Sequence, residues 1–215
     1  MPVVVSLDVP GVSHSLLSVC DAMVASIEEL THADQPIGDG DHGITIGRGF
    51  RAAQKVIAAQ PLDADLGALL DAVGMAMLTS MGGASGAIYG TLFRRGARAL
   101  RGRSTLDAEA LAIFLQDALA GVRERGGAAV GDKSLVDALQ PAAEAARLAS
   151  GGPLSVALAA AAEGAGEGLE RTRAMRASIG RARTLGDRAI GHVDPGALSL
   201  TLMLRAWSRS VSGEG

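Results

Sequence analysis

Apolar residues recur at helical spacing along nearly the whole chain. Val12, Leu16, Val19, Met23, Ile27 and Leu30 step by three or four and predict a first helix over about residues 11–31, behind a short extended leader of residues 1–10. A second helix runs from about His42 to Ala59 and stops at Gln60-Pro61. Leu66, Leu69, Leu70, Val73, Met77 and Met81 predict a third over about 63–81, and a fourth begins near Ser85 and reaches about Leu100. Leu106, Leu111, Phe114, Leu115, Leu119 and Val122 carry a fifth, which Gly126-Gly127 ends. The sixth starts near Asp132 to Ser134 and runs to about Ala149, with Pro141 expected to kink it or to mark its true start. Pro153 sits at the first turn of a seventh, to about Arg173, and Asp194-Pro195-Gly196 introduces an eighth through Leu198, Leu202 and Trp207.

Eight amphipathic helices joined mostly by short turns predict an all-α fold with antiparallel neighbours. In such an arrangement alternate connections share an end. One end then collects the acidic loop Ala33 to Gly43, the Gly82-Gly83-Ala84-Ser85 turn, the Gly126 to Lys133 turn and the Arg176 to Gly196 segment. The other end collects plain linkers at Gln60-Pro61, Arg101 to Thr105 and Ser150 to Pro153. All the chemically unusual loops fall together, which points to one composite site.

Composition narrows the classes. The chain has 215 residues, 48% of them hydrophobic, and a mean hydropathy of +0.26, enough for one domain over residues 1–215. Aromatic residues make up only 2%, which suits closely packed helices and supplies no base-stacking platform. A net charge of −3 gives no electrostatic footprint for nucleic acid. Cys20 is the single cysteine, so no intrachain disulfide forms and a reducing, cytoplasmic setting is expected. No apolar run reaches the roughly 18 residues of a membrane span, which predicts a soluble protein.

Asp34, Asp39 and Asp41 lie within eight residues, jointed by glycines that let the backbone turn all three toward one centre. Carboxylates gathered so closely repel unless a cation sits among them, and hard oxygen ligands suit Mg²⁺ or Ca²⁺. Mg²⁺ held by a few carboxylates together with phosphate oxygens makes a Mg-nucleotide site the working reading. The alternative is a solvated Asp/Gly turn. An EF-hand fits poorly, because the twelfth position from Asp34 or Asp39 is Thr45 or Phe50 where that loop needs Glu. His42 caps the next helix, contacts a phosphate, or is an ordinary loop histidine.

The remaining loops are suited to anions. Ser85 beside glycines at a helix start offers backbone N–H groups, a hydroxyl and the positive end of a helix dipole. Gly126-Gly127-Ala128-Ala129-Val130-Gly131-Asp132-Lys133-Ser134 nearly spells a P-loop, but Asp132 intrudes and no strand precedes it. Lys133 could neutralise phosphate or the Asp137 carboxylate, and the sequence favours neither. Arg176, Arg181, Arg183 and Arg188 offer forked donors to phosphate or form a solvated face. Asp194-Pro195-Gly196 caps a helix or closes over a ligand.

Four of these segments together carry a family resemblance. Ile37-Gly38-Asp39-Gly40-Asp41-His42-Gly43, Gly82-Gly83-Ala84-Ser85-Gly86 with Tyr89-Gly90, Gly131-Asp132-Lys133-Ser134 and Gly191-His192-Val193-Asp194-Pro195-Gly196-Ala197 resemble the nucleotide-binding L subunit of dihydroxyacetone kinases, in order and over most of the chain. The resemblance implies a closed antiparallel barrel of eight amphipathic helices with the nucleotide site at one end. It implies that Asp34, Asp39 and Asp41 hold two Mg²⁺ ions bridging the phosphates of ADP or ATP. His42, Gly43 and Thr45 would line the phosphate end, and Ala84 and Ser85 would contact phosphate from the third connection. Gly126 and Leu135 would border base and ribose, and Arg181, Asp194, Pro195 and Gly196 would close the other side. This sequence departs from the family pattern at Thr45, where Asn is common, at Leu135, where Met is usual, and at Arg183-Thr184, which replaces Ser-Tyr.

Phosphoryl transfer needs positioning and charge neutralisation more than a nucleophile, so three metal-holding carboxylates and Arg181 form the expected catalytic group. The family's ketose-holding histidine belongs to a separate K subunit or domain. The implied activity is therefore that of a nucleotide-loaded half-enzyme, a glycerone kinase subunit passing phosphate to dihydroxyacetone or a related short ketose on that partner. The nucleotide is either exchanging ATP or a retained ADP recharged by a phosphotransferase-system donor. The competing reading is a non-catalytic nucleotide- or metal-sensing regulatory module. The sequence leaves the ketose and the oligomeric state open, a homodimer among the alternatives.

Overall fold

The computed structural model describes residues 3–61 and 64–213. Among these residues nine α-helices carry the chain: α1 Val9–Ala25, α2 Ile27–Asp34, α3 His42–Ala58, α4 Leu66–Ser80, α5 Gly83–Arg98, α6 Ala108–Gly126, α7 Leu135–Leu148, α8 Leu154–Arg171 and α9 Pro195–Ser212. The all-α class expected from periodicity is the one observed. None of these helices is long and apolar enough to cross a membrane.

The departures from the expected elements have local causes. The leader does not stay extended to residue 10: α1 begins at Val9, capped by Asp8, whose Oδ1 accepts from Gly11 N at 2.8 Å. Just before it, β1 (Ser6–Asp8) pairs antiparallel with β2 (Thr105–Asp107), Leu7 opposite Leu106. The expected first helix is two helices, because Ser26 interrupts it. Its hydroxyl donates back to Ala22 O at 2.9 Å, the contact by which serine bends helices. The break lets α2 lean on α3 and deliver Asp34 to its end. The third helix starts at Leu66, where Asp65 caps Ala68 N, and residues 62–63, at its expected start, lie outside the described residues.

Pro141 does not begin its helix. It lies inside α7, which starts at Leu135 behind a capping box in which Ser134 and Asp137 satisfy each other's backbone N–H groups. A proline at 141 leaves Asp137 O without its helical donor. That carbonyl faces Gly168 of α8, where a Cβ would come within 2.1 Å of it, and Pro141 O faces Gly164 in the same way at 2.7 Å. Two glycines one turn apart thus bring the backbones of α7 and α8 together at the proline. Pro153 is the residue before α8, with Leu154 the first helical one.

Packing follows chain order. α1 lies against α3, α3 against α4, and so on through α5, α6, α7, α8 and α9, which returns to α1. The core they enclose is mostly aliphatic and alanine. Its aromatic centre is Phe93, Phe114 and Trp207, stacked edge to face at centroid distances of 5.9 and 6.2 Å. Trp207 Nε1 finds a buried partner in Ser15 Oγ at 3.2 Å. Cys20 is a core residue, 2% exposed, and burial pushes its thiol up to about 12. A second small cluster joins Ile37 of the acidic loop to Ala177 and Ala189 of the long segment before α9. That segment contains two 3₁₀ stretches, Thr172–Ala174 and Arg181–Ala189, the latter broken at Gly186, whose φ is +57°.

Candidate functional site

One cavity of about 520 Å³ opens at the end of the helices where the unusual loops were expected to meet. The first residues of α3, α5, α7 and α9, namely His42, Gly83, Leu135 and Pro195, all line it. Four positive helix ends therefore face one space, an arrangement suited to an anion. Among the described residues none of the lining comes from the connections at 60–61, 101–105 or 150–153. The termini differ in what they leave open. Ser134 and Asp194 cap α7 and α9 with their side chains, whereas neither Asp41 nor Gly82, the residues before α3 and α5, caps its helix, and on α3 only His42 N is taken, by the Asp34 carboxylate.

Asp34, Asp39 and Asp41 each bring one carboxylate oxygen into a group whose members lie within 4.8 Å of one another. Asp34, at the end of α2, is buried and accepts from His42 N at 3.3 Å, while Asp39 and Asp41 are exposed. The tight turn after α2 places them: Gly38 N donates to Asp34 O at 2.6 Å, and Gly40 takes φ +75°. A Cβ at residue 38 would fall 2.0 Å from Asp34 Oδ1, so only glycine lets the turn pass this carboxylate. An all-carboxylate donor set of this spread fits a hard cation such as Mg²⁺. Arg181 reaches in from the opposite wall, paired directly with Asp39 and at 3.7 Å from Asp41 Oδ1.

Beneath the carboxylates runs a buried hydrogen-bonded chain. Ser199 Oγ donates to Gly196 O at 3.0 Å and accepts from Tyr89 OH at 2.8 Å. His42 Nε2 lies 3.0 Å from the same oxygen, whose one proton is committed, so the ring donates. Burial lowers the pKa of His42, with the Asp34 charge opposing it, and raises that of Tyr89. Asp194 is pushed up to about 7 by burial, although Ala197 N donates to it at 2.8 Å.

Of the four arginines offered as phosphate donors only Arg181 lines this cavity, and every residue that the resemblance assigned to the site lines it except two. Gly43 faces away: a Cβ there would meet Ile27 O at 2.1 Å, so its role in this structure is the close passage of α3 past α2. Gly126 ends α6 behind Ile88, which lines the cavity in its place.

A model of the DAK2 domain matches residues 36–209, the span that contains all of this geometry except Asp34. The chain belongs to the DAK2 domain family. It is 42% identical to the ADP-binding subunit DhaL of the PEP-dependent dihydroxyacetone kinase of Escherichia coli K12, over 86% of this chain and 89% of that one. It is 35% identical to the D-erythrulose kinase of Mycolicibacterium smegmatis, over 90% of this chain but 34% of the kinase. The crystal structure of the C. freundii dihydroxyacetone kinase with AMP-PNP and Mg²⁺ superposes with a TM-score of 0.72 at 29% identity, over 92% of this chain and 33% of that one.

Several lining residues of this DAK2 domain were not among the candidates. Arg48 lies one turn beyond Thr45 on α3, and Ile88 one turn beyond Ser85 on α5, so helical spacing from the named residues would have found both. Ile179 and Ala182 come from an irregular loop that gives no periodic signal. Lys133, whose role the sequence left open, also lines the cavity but makes no ion pair with Asp137. Its ammonium donates to Thr172 O at 2.6 Å and His192 O at 2.5 Å, while Asp137 accepts from Gly131 N and Ser134 N.

Proposed function

We propose that this chain is the nucleotide-carrying subunit of a short-ketose kinase, passing a phosphoryl group to dihydroxyacetone or a close relative held by a separate K subunit in the cytoplasm. The observation that carries the reading is the convergence of three carboxylates, Arg181 and four helix N-termini on one cavity. Residues 1–215 act as one domain, and the ring of packed helices is a closed antiparallel barrel with the nucleotide at one end. Bound among Asp34, Asp39 and Asp41, Mg²⁺ would neutralise and bridge the phosphate oxygens of ADP or ATP.

The chain's own residues do the rest by position. The free N–H groups in the first turns of α3 and α5, with Thr45, Ala84 and Ser85, donate to the phosphate end, and Leu135 and Ile88 offer apolar contact to the base and ribose. Arg181 neutralises Asp39 and Asp41 in the absence of metal and is free to turn to a phosphate oxygen when a cation takes over that task. Pro195 and Gly196, above the His42–Ser199–Tyr89 chain, hold the far wall rigid. Because the DhaL relatives that match over most of both chains are named ADP-binding and PEP-dependent, we favour a retained ADP recharged by a phosphotransferase-system donor.

The test is calorimetric titration with ADP and with ATP, each with and without Mg²⁺, followed by nucleotide retention through gel filtration. Mg-dependent binding with slow ADP release is expected. Rapid exchange with ATP would replace the recharged-ADP mode with a direct ATP-dependent one, and no binding under any condition would overturn the proposal.

A further inference from the structure

Lys133 is the unexplained charge of this molecule. It is 2% exposed, and it is the only non-glycine residue with positive φ among the described residues, at +61°. A side chain is held in that region only when its surroundings over-determine it. The surroundings do so here. Asp132 Oδ2 accepts from Ala129 N at 2.7 Å, and Asp137 accepts from Gly131 N and Ser134 N on either side of the lysine. The left-handed turn aims the side chain inward, where an ammonium is costly to bury unless it is bonded.

The two oxygens that bond it are far apart in sequence and adjacent in space. Thr172 O lies where α8 ends and His192 O just before the cap of α9. Between them runs the segment 173–191, which supplies Ile179, Gly180, Arg181 and Ala182 to the cavity. Two further bonds cross the same neck: Gly191 N donates to Arg173 O at 2.8 Å, and Asp194 N to Thr172 Oγ1 at 3.0 Å. Asp132, next to the lysine, also holds the body of the loop through Ser178, which donates to its carboxylate.

We infer that Lys133 is a positioning residue: its ammonium clasps both ends of the 173–191 loop, and through that neck it holds Arg181 against the acidic group. The consequence for nucleotide binding rests on the function proposed above, whereas the clasp itself does not.

Trypsin reads the clasp directly, because Arg176, Arg181, Arg183 and Arg188 all lie in the loop and are exposed. In the full chain, Lys133→Met keeps the stem and removes the donors. Cleavage within 173–191 is expected to accelerate by at least about tenfold, since proteolysis follows the population of the opened segment, with cleavage elsewhere and helical circular dichroism unchanged. Unchanged loop cleavage, or equal acceleration at every site, would overturn the inference. Hydrogen exchange of the wild-type chain is an independent check should the variant not fold. The Gly191 and Asp194 amides should be protected as well as those of the adjoining helices, and exchange as fast as the loop interior would refute a closed neck. The link to Arg181 is read by a double variant. Lys133→Met should weaken MgADP binding several-fold in the wild-type background and have no added effect in Arg181→Gln; additive losses would assign Lys133 a separate, purely structural role. If the wild-type chain binds no MgADP, the kinase reading fails while the proteolysis and exchange results still decide the clasp.

Discussion

Gly38→Ala adds one methyl group to the turn that carries the acidic loop, and the structure sets its size of effect. The new Cβ would lie 2.0 Å from Asp34 Oδ1 and 2.6 Å from Asp34 Cγ, where ordinary contact begins at 3.4 Å, so the carboxylate must withdraw by about 1.4 Å. Asp34 is buried and cannot swing freely into water. Withdrawal breaks its bond from His42 N and forces an off-rotamer side chain, costs of about 1–2 and about 0.5–1.5 kcal/mol. Together they lower the melting temperature by about 3 to 14 °C in a chain of this size. The same movement takes one of three metal-facing oxygens out of register, for an expected loss of about 10- to 100-fold in Mg²⁺ affinity. Gly151→Ala is the control: it lies at the opposite end, its added Cβ meets nothing within 4 Å, and its effect should be neutral or slightly stabilising. Thermal unfolding and calorimetric titration with MgADP measure both quantities for both variants. If Gly38→Ala melts and binds as the wild type does, the close approach of turn and carboxylate is not what positions Asp34.

Three further outcomes follow from the same geometry. Asp39→Asn removes one charge from the carboxylate group and the partner of Arg181, so MgADP binding by calorimetry should weaken about tenfold or more while circular dichroism stays helical; unchanged binding would remove Asp39 from the site. Asp194, held near 7 when folded against about 3.9 when unfolded, binds more protons in the native chain, so its contribution to stability is complete below about pH 4 and is lost as the pH rises through about 7. Urea unfolding at pH 5 and pH 8 should show the wild type losing stability relative to Asp194→Asn, which keeps a good helix cap; a constant difference would refute the buried, proton-retaining carboxyl. Tyr89→Phe removes the donor to Ser199 Oγ while His42 still serves that oxygen, for a loss of about 1 kcal/mol and a melting shift of about 2–4 °C; a much larger drop would mean that the phenol holds more than Ser199.

Much of the arrangement was legible because helices advertise themselves by period and their ends by chemistry. Asp34, Asp39 and Asp41 are neighbours in sequence, so a tight glycine turn alone could gather them, and the all-α class required only that apolar residues repeat at three and four. The parity of eight short-linked helices even placed the four unusual loops at one end. That inference survived the splitting of the first helix at Ser26, because α2 still ends at Asp34, where the acidic loop begins.

What periodicity could not carry was decided by long-range contact. The strand Ser6–Asp8 forms only because Thr105–Asp107 is there to pair with it. Gly43 and Gly38 look alike in sequence, yet one is small to let α2 pass and the other to let a carboxylate stand. Periodicity left Arg181 as one of four arginines in the segment before α9 and only the resemblance singled it out; the fold sets it opposite Asp39. Lys133 had Asp137 on offer within its own motif, yet its ammonium bonds the carbonyls of Thr172 and His192, which arrive from far along the chain. A sequence determines local conformation through bonds and periods a few residues long, and for this chain that was enough for the helices and the acidic turn. Which charge meets which is a property of distances that exist only once the helices have packed.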